Sequence, residues 1–482
     1  MIRVWADKLR AGVLDRHSQR GSTYVYDPKA SPHQSVSVTM PVRTASWDTP
    51  IGLAPIFEMN LPEGALREHL RLRFAKAVGT FDDFDLLGVV GRTQIGRIRY
   101  SALDSDLTET VPFQSIDQIL RARRGNKLFD DLIQTFAVHS GLSGVQPKVM
   151  IRGKDHQSAE PNLRYNVQGA THIVKLWHAD EYPELAANEY FCLSVAKEAG
   201  LQVPAFELSS DGAALVVERF DLRGDEYLGF EDFCVLNGFR TEQKYSGGYE
   251  TRLFRRLRDF VAPDEFSASA ERLFRLFALN CAIRNGDAHL KNFAIIYRDV
   301  NERAELSPVY DLVTTQAYIP NDGMALTIGG STNWPNRRKL AELGQARADL
   351  SLKRVEAIFE QTADAMAATA SKMRHYFKNS EYAVGARMDE AWQAGIKETL
   401  GLEGRKLVPV ARPKAAPRMA RSDSLVLEHL REKGGATKGT QKKMAAAMGM
   451  PESTLNAALK RLVERGIVSK KPGHLELVAR EV

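Results

Sequence analysis

The chain is poor in cysteine: Cys192, Cys234 and Cys281 are the only three in 482 residues. They are odd in number, far apart and set among apolar neighbours. That excludes a disulfide framework or a thiolate metal cluster and fits small core residues of a reduced, cytoplasmic protein. Long apolar runs are missing too. The longest uncharged stretch, Leu276–Ile283, falls far short of the roughly 20 residues a membrane helix needs. Arg3, Asp7, Lys8 and Arg10 interrupt any secretory leader, so neither export nor membrane insertion is expected. There is no repeat of fixed period, no Gly-Lys-Ser/Thr of a Walker loop and no Gly-x-Gly-x-x-Gly.

What is present is a globular composition, with 44% hydrophobic and 26% charged residues, which leaves no room for global disorder or a fibre. At roughly 150 residues per domain the length suggests about three domains. The net charge of +6 conceals a division. From Arg405 onward there are 17 Lys and Arg against 7 Asp and Glu, net +10, leaving 49 against 53, net −4, in residues 1–404. A basic end on a mildly acidic body assigns any nucleic-acid contact to that end, a solvated tail being the alternative. Between them Pro409, Pro413 and Pro417 recur among Arg405, Lys406, Arg412, Lys414, Arg418 and Arg421, which predicts an extended linker over 401–421. Upstream, strand-like Ser35–Met40 and Gln94–Tyr100 and a helix after Asn60-Leu61-Pro62-Glu63-Gly64 mark residues 1–125. Alternating strand and helix periods mark 126–400, so the body is α+β.

The most informative segment is Arg284-Asn285-Gly286-Asp287-Ala288-His289-Leu290-Lys291-Asn292, a polar loop running into strand-like Phe293–Tyr297. Asp287 and Asn292 have the spacing of protein-kinase catalytic loops, where the Asp orients the attacking hydroxyl and the Asn binds Mg²⁺. In-line attack on a phosphate beside a cation needs an acceptor and a metal ligand converging from one short loop. An Asn-Gly-Asp turn that merely caps is the alternative. Asp311, in Pro308-Val309-Tyr310-Asp311-Leu312, stands where a second Mg²⁺ ligand belongs. It could instead be a turn aspartate, or join Asp287 and His289 around a hydrolytic metal, which neighbouring Lys291 would repel.

Lys175 falls between bulky residues in Thr171–Trp177, and a buried lysine needs a counter-charge. A helix over Glu184–Ala199, ended by Gly200, puts Glu189 on the apolar face with Leu185, Cys192, Leu193 and Ala196. A Lys on the α/β-phosphates fixed by such a Glu is a nucleotide-holding pair; an edge-strand lysine and a partly exposed glutamate would explain the pattern equally. Ser140–Lys148, with Gly144 and Lys148, is a Gly/Ser turn whose backbone N–H groups can approach phosphate, or an ordinary hairpin turn. In Leu215–Asp221 the backbone of Glu218 and Phe220 can read an adenine edge, or the strand is simply internal.

In this order, Gly144-Val145-Gln146-Pro147-Lys148, Ile173-Val174-Lys175, Asn188-Glu189, Glu218-Arg219-Phe220-Asp221, Glu231-Asp232-Phe233-Cys234, Lys244-Tyr245, Asn285–Asn292 and Tyr310-Asp311-Leu312 resemble the HipA family, serine/threonine kinases of bacterial toxin–antitoxin systems. Asn60–Gly64 and Leu86-Leu87-Gly88 resemble the family's leading domain, so the likeness covers about residues 1–400. It implies ATP and Mg²⁺ as cofactors, Asp287 as catalytic aspartate, Asn292 and Asp311 as metal ligands, and Lys175 on the phosphates. It further implies adenine on the backbone of Glu218 and Phe220. Ser143 takes the place of an autophosphorylated serine that expels the Gly-rich loop; Gly141 stands where a second serine occurs in other members. Implied partners are a protein substrate of translation, notably an aminoacyl-tRNA synthetase, and an antitoxin protein. The rival is a transcriptional regulator whose kinase-like fold only senses nucleotide.

Residues 422–482 read as helices over Asp423–Lys433, Gln441–Met448 and Glu452–Arg465, with a Gly449-Met450-Pro451 turn and a two-stranded wing from Ile467. In the third helix Leu455, Ala458, Leu459, Leu462 and Val463 form the core stripe. Ser453, Thr454, Asn456, Lys460 and Arg461 are left facing outward, suited to DNA. This resembles a winged helix-turn-helix, which binds DNA or, alternatively, protein. The expected architecture is α+β: a bilobal protein-kinase-like fold over 126–400 with a HipA-type N-terminal subdomain over 1–125, and a small C-terminal winged helix.

Overall fold

The computed structural model describes residues 1–17, 21–78, 81–123, 127–154, 168–177, 181–224, 226–404, 407, 425–427, 429–430, 433, 436–438, 440–464, 468–471 and 474–477. Most of the Pro-rich stretch expected to be a linker lies outside them. The chain divides into two compact units, residues 1–410 and 411–482.

The first sheet runs β4-β3-β2-β1-β5 and is antiparallel. Its strands are β1 (Ile2–Ala6), β2 (Leu9–Arg16), β3 (Ser22–Tyr26), β4 (Trp47–Thr49) and β5 (Ile98–Ala102). Tyr24, Phe57 and Tyr100 pack edge to face at 5.1 and 6.1 Å in its core. Ser35–Met40 is no strand. The Val36 N–H goes to the Tyr26 hydroxyl (2.9 Å) and the Val38 N–H to Glu231 Oε1 (2.8 Å), so side chains take the donors that a ladder would need. The strand expected at Gln94 likewise begins only at Ile98, because the Gly96 N–H is given to Asp221 Oδ2 (2.7 Å).

The second sheet, β6-β7-β8-β10-β9, comprises β6 (Phe113–Ser115), β7 (Lys148–Lys154), β8 (His172–Leu176), β9 (Phe206–Leu208) and β10 (Ala214–Glu218). β6 pairs parallel with β7, so by pairing Phe113–Ser115 belongs to this sheet rather than the first. Helix Leu185–Glu198 lies against it, and a short β11 (Leu222–Arg223)–β12 (Glu226–Tyr227) hairpin follows. Next come β13 (Gly229–Asp232), β14 (Ala294–Tyr297) and β15 (Ala304–Leu306) in one antiparallel sheet, and a helical lobe. That lobe is built on Phe266–Ala282, Arg337–Ala348, Leu352–Phe377 and Val384–Ala394, with Leu273, Phe274, Phe359, Met366 and Trp392 in its core. The body is thus mixed α+β with a sheet-rich and a helical side. Leu407 is buried in the helical core and its carbonyl accepts from Arg374 (2.7 Å), so the body continues past residue 400. All three cysteines are free and buried, and burial pushes the Cys192 thiol up to about 12.

The second unit has its own core of Val426, Leu430, Met444, Leu455, Leu459, Leu462 and Leu475, among others. Helices Gln441–Ala447 and Glu452–Glu464 are followed by β17 (Val468–Lys471) and β18 (His474–Leu477). A strand absent from the sequence reading, β16 (Ala436–Lys438), pairs with β18, giving the order β16-β18-β17. Val463 is 41% exposed and leaves the expected core stripe. Ser453, Thr454, Asn456 and Lys460 are exposed as expected, whereas Arg461 is half-buried. No described helix is long and apolar enough to cross a membrane.

Candidate active site

The loop expected to carry the chemistry is shaped by two backbone residues in the left-handed region, Arg284 (φ +59°) and Asp311 (φ +52°). Such conformations cost of order 1–3 kcal/mol at non-glycine residues and persist only where surroundings enforce them. The enforcement is visible. The buried Arg284 guanidinium is held by Glu398 (2.7 Å) and Thr399 (2.9 Å), and its carbonyl accepts the Thr315 hydroxyl (3.1 Å). The Gly286 N–H donates to the same Thr315 oxygen (2.7 Å). A Cβ on Gly286 would lie 2.0 Å from an Asp322 carboxylate oxygen, so glycine is required there. Asn285 bonds Asn280 (2.7 Å) and accepts the Asp287 N–H (3.2 Å), which turns Asp287 into the cleft.

That cleft, a cavity of about 550 Å³, brings Lys175, Glu189, Asp287, Asn292 and Asp311 together with Ser143, Gly144, Lys148, Glu218 and Phe220. Lys175 on β8 donates to Glu189 Oε1 (2.5 Å) and to Asp311. Burial opposes its charge, but the Asp311 and Glu189 carboxylates outweigh that and hold its pKa above the ordinary lysine range. Burial would raise Asp311, yet Lys175 and Lys148 hold it well below the usual carboxylate range. Asp287 differs: burial raises its pKa against the opposing Tyr245 hydrogen bond (2.7 Å) and the Lys244 charge. Burial and the charges of Lys244 and Lys291 drop His289 to about 3, a neutral imidazole.

Asn292 donates through Nδ2 to the Asp311 carbonyl (3.4 Å), while its buried Oδ1 has no hydrogen-bond partner among the described residues. A buried acceptor left open beside a carboxylate is a donor set that fits a hard, oxygen-seeking cation such as Mg²⁺. Among the described residues no three His, Cys, Asp or Glu side chains cluster to hold a metal, which overturns the hydrolytic site of Asp287, His289 and Asp311. The His289 ring instead packs against Tyr245 at 5.0 Å. Lys291, expected to repel a cation, is neutralised by Asp232 (3.1 Å) and bonded to the Met59 carbonyl (2.8 Å).

The Gly-rich turn folds inward. Gly144 sits at φ +108°, and a Cβ there would lie 2.4 Å from Lys148 Nζ. Lys148 Nζ donates to the Ser143 carbonyl (3.0 Å), and the Gly144 N–H is held by Glu63 Oε1 (3.1 Å). The Glu218 N–H is given to the Ala205 carbonyl (2.8 Å), and the Phe220 ring packs on Phe230 and Tyr310. Glu63, Lys244, Tyr245 and Asp232 belong to the site without having been assigned a role from local sequence pattern. Their only signal is their place in the motif series quoted above.

Residues 2–101 match the HipA N-terminal domain and residues 140–370 the HipA-like C-terminal domain. The chain is 29% identical over 404 residues to Putative kinase Y4mE of Sinorhizobium fredii, covering 76% of this chain and 91% of the relative. It is 28% identical over 322 residues to Putative kinase Y4dM of the same organism, covering 62% and 72%. Its fold is similar to a chain of the Shewanella oneidensis MR-1 toxin–antitoxin complex of HipA, HipB and operator DNA. The TM-score is 0.57 at 20% identity, over 83% of this chain and 98% of that one.

Proposed function

We propose, for a chain that belongs to the HipA-like kinase family, that it transfers the γ-phosphate of ATP to a serine or threonine of a protein. The observation that carries this reading is the convergence on one cleft of the Glu189–Lys175–Asp311 ion triad, the open Asn292 Oδ1 and Asp287. Lys175, pinned between two carboxylates, is preorganised for phosphate oxygens. The strand end at Glu218 and Phe220, both lining the cleft, is where adenine would lie. Asn292 and Asp311 would hold Mg²⁺, which when bound neutralises phosphate charge. Asp287 accepts the proton of the incoming hydroxyl. Tyr182, Tyr245 and Ile319, each 41–50% exposed, line the same cleft and give a protein acceptor apolar contacts. Acceptors from translation, an aminoacyl-tRNA synthetase among them, follow from the family resemblance.

Ser143 lines the cleft half-buried and is the proposed autophosphorylation site. The second unit is proposed as a winged helix that meets DNA through helix Glu452–Glu464, supported by the net charge of +8 over residues 411–482. An antitoxin partner is proposed by analogy with the Shewanella complex. The test is full-length chain with labelled ATP and Mg²⁺: wild type should label itself at Ser143, mapped by mass spectrometry, and label a protein from lysate. Asp287→Asn should lose transfer by about 10² or more while still binding ATP. Undiminished transfer by that variant refutes the assignment.

A further inference from the structure

Segment Asn60–Gly64 faces two ways. Leu61 is buried in the core of the first sheet, and Gly64, at φ +53°, opens helix Gly64–Val78. Glu63 points instead into the cleft, with its side chain 20% exposed. Its Oε1 accepts the Gly144 N–H (3.1 Å) and its Oε2 the Lys244 ammonium (2.9 Å). Lys244 is joined to the catalytic loop, since its carbonyl accepts the Leu290 N–H (3.1 Å). Tyr245 next to it donates to Asp287 Oδ1 (2.7 Å). One carboxylate from the N-terminal region therefore spans the turn that carries Ser143 and the segment that meets Asp287. Burial would raise the Glu63 carboxyl, but Lys244 outweighs this and keeps it below the ordinary range, hence ionised at neutral pH.

We propose that Glu63 is a positioning residue that latches the Ser143 turn over the cleft, so that the N-terminal domain sets the closed state of the nucleotide site. This rests on the reading of the cleft as an ATP site. The other tethers of the turn are the Gly141 N–H on the Thr93 carbonyl (3.0 Å) and the Gln146 amide on the Leu176 carbonyl (3.1 Å) at its flanks, and Lys148 Nζ on the Ser143 carbonyl (3.0 Å), which comes from the strand the turn itself feeds and so ties it to no other domain. At Gly144 itself the backbone donor is bound by a carboxylate, and a charge-assisted bond of this kind is stronger than a neutral one. Glycine at φ +108° gives the turn little stiffness of its own. Loss of the latch therefore releases the turn while leaving the flanking strands paired. A phosphate on Ser143 would place a second anion next to Glu63, so the residue that closes the turn also helps expel it once charged.

The test is hydrogen–deuterium exchange on full-length wild type, Glu63→Ala and Glu63→Gln without nucleotide, followed by ATP kinetics. Amides of 141–146 should exchange about tenfold faster in Glu63→Ala, with Glu63→Gln between, because its amide still accepts from Gly144 but no longer pairs with Lys244. Strands β1 and β5 should exchange as in wild type. The KM for ATP should rise about tenfold in Glu63→Ala with kcat within about twofold. Unchanged exchange of the turn overturns the latch, and so does faster exchange spread through β1 and β5, which makes Glu63 a general prop of the fold. Exchange needs no ATP. Wild type that fails to bind ATP thus refutes the nucleotide reading, and the exchange data still judge the latch.

Discussion

At the scale of single residues the cleft separates its carboxylates by environment. Glu189 and Asp311 share one lysine, and removing that lysine would strand a buried Glu189, which is 1% exposed. Among the described residues Asp287 has no lysine within hydrogen-bond reach and takes the Tyr245 hydroxyl (2.7 Å) instead. Burial holds its carboxyl above the ordinary aspartate range, and it must be ionised to accept a proton. Transfer should therefore be absent at acid pH and appear as pH rises through this raised value. The Tyr245 hydroxyl bonds the ionised form, so Tyr245→Phe should move the acid limb of kcat/KM upward. A pH–rate profile of both proteins reads this directly; a limb that moves down would show that Tyr245 opposes ionisation.

At the scale of elements, the helices most legible in the sequence are those whose ends carry their own signal. Helix Leu185–Glu198 follows its apolar period and stops in a Schellman turn, with the Gly200 N–H on the Lys197 carbonyl (3.1 Å) and Leu201 on Ala196 (3.0 Å). Gly449 closes Gln441–Ala447 in the same way. Because Gly200 lies at φ +81° with open space around its Cα, Gly200→Ala should cost about 1 kcal/mol through backbone strain alone. A lower denaturation midpoint at unchanged m-value would show it. Asp287, Asn292, Lys175 and Glu189 were legible because fixed spacing or helical period places each. Glu63 was not, since its partners are 81 and 181 residues away and no local pattern encodes such a pairing. Ser35–Met40 misleads for the same reason: its alternation suggests a strand, and a distant carboxylate, Glu231, claims the backbone.

At the scale of the whole molecule, residues 1–410 carry 51 Lys and Arg against 53 Asp and Glu, net −2, and residues 411–482 carry 15 against 7, net +8, so the two compact units differ in sign. A phosphate backbone would attract the second unit, on the proposed reading, by releasing counterions whatever the base sequence. Sequence preference must come from side chains that reach base edges. On helix Glu452–Glu464 the exposed Asn456 and Lys460 offer one of each kind, whereas Arg461 is half-buried and less free to reach out. Asn456→Ala should then cost about 1–3 kcal/mol on the preferred duplex and little on others. Lys460→Ala should weaken all duplexes alike and lower the slope of log K against log salt by about 1. Fluorescence titration of the full-length chain over a salt series separates the two, and phosphoryl transfer should stay unchanged in both variants because both residues belong to the second compact unit, which has its own core. A slope near zero in wild type would turn the basic end from DNA to a protein partner and leave the kinase reading standing.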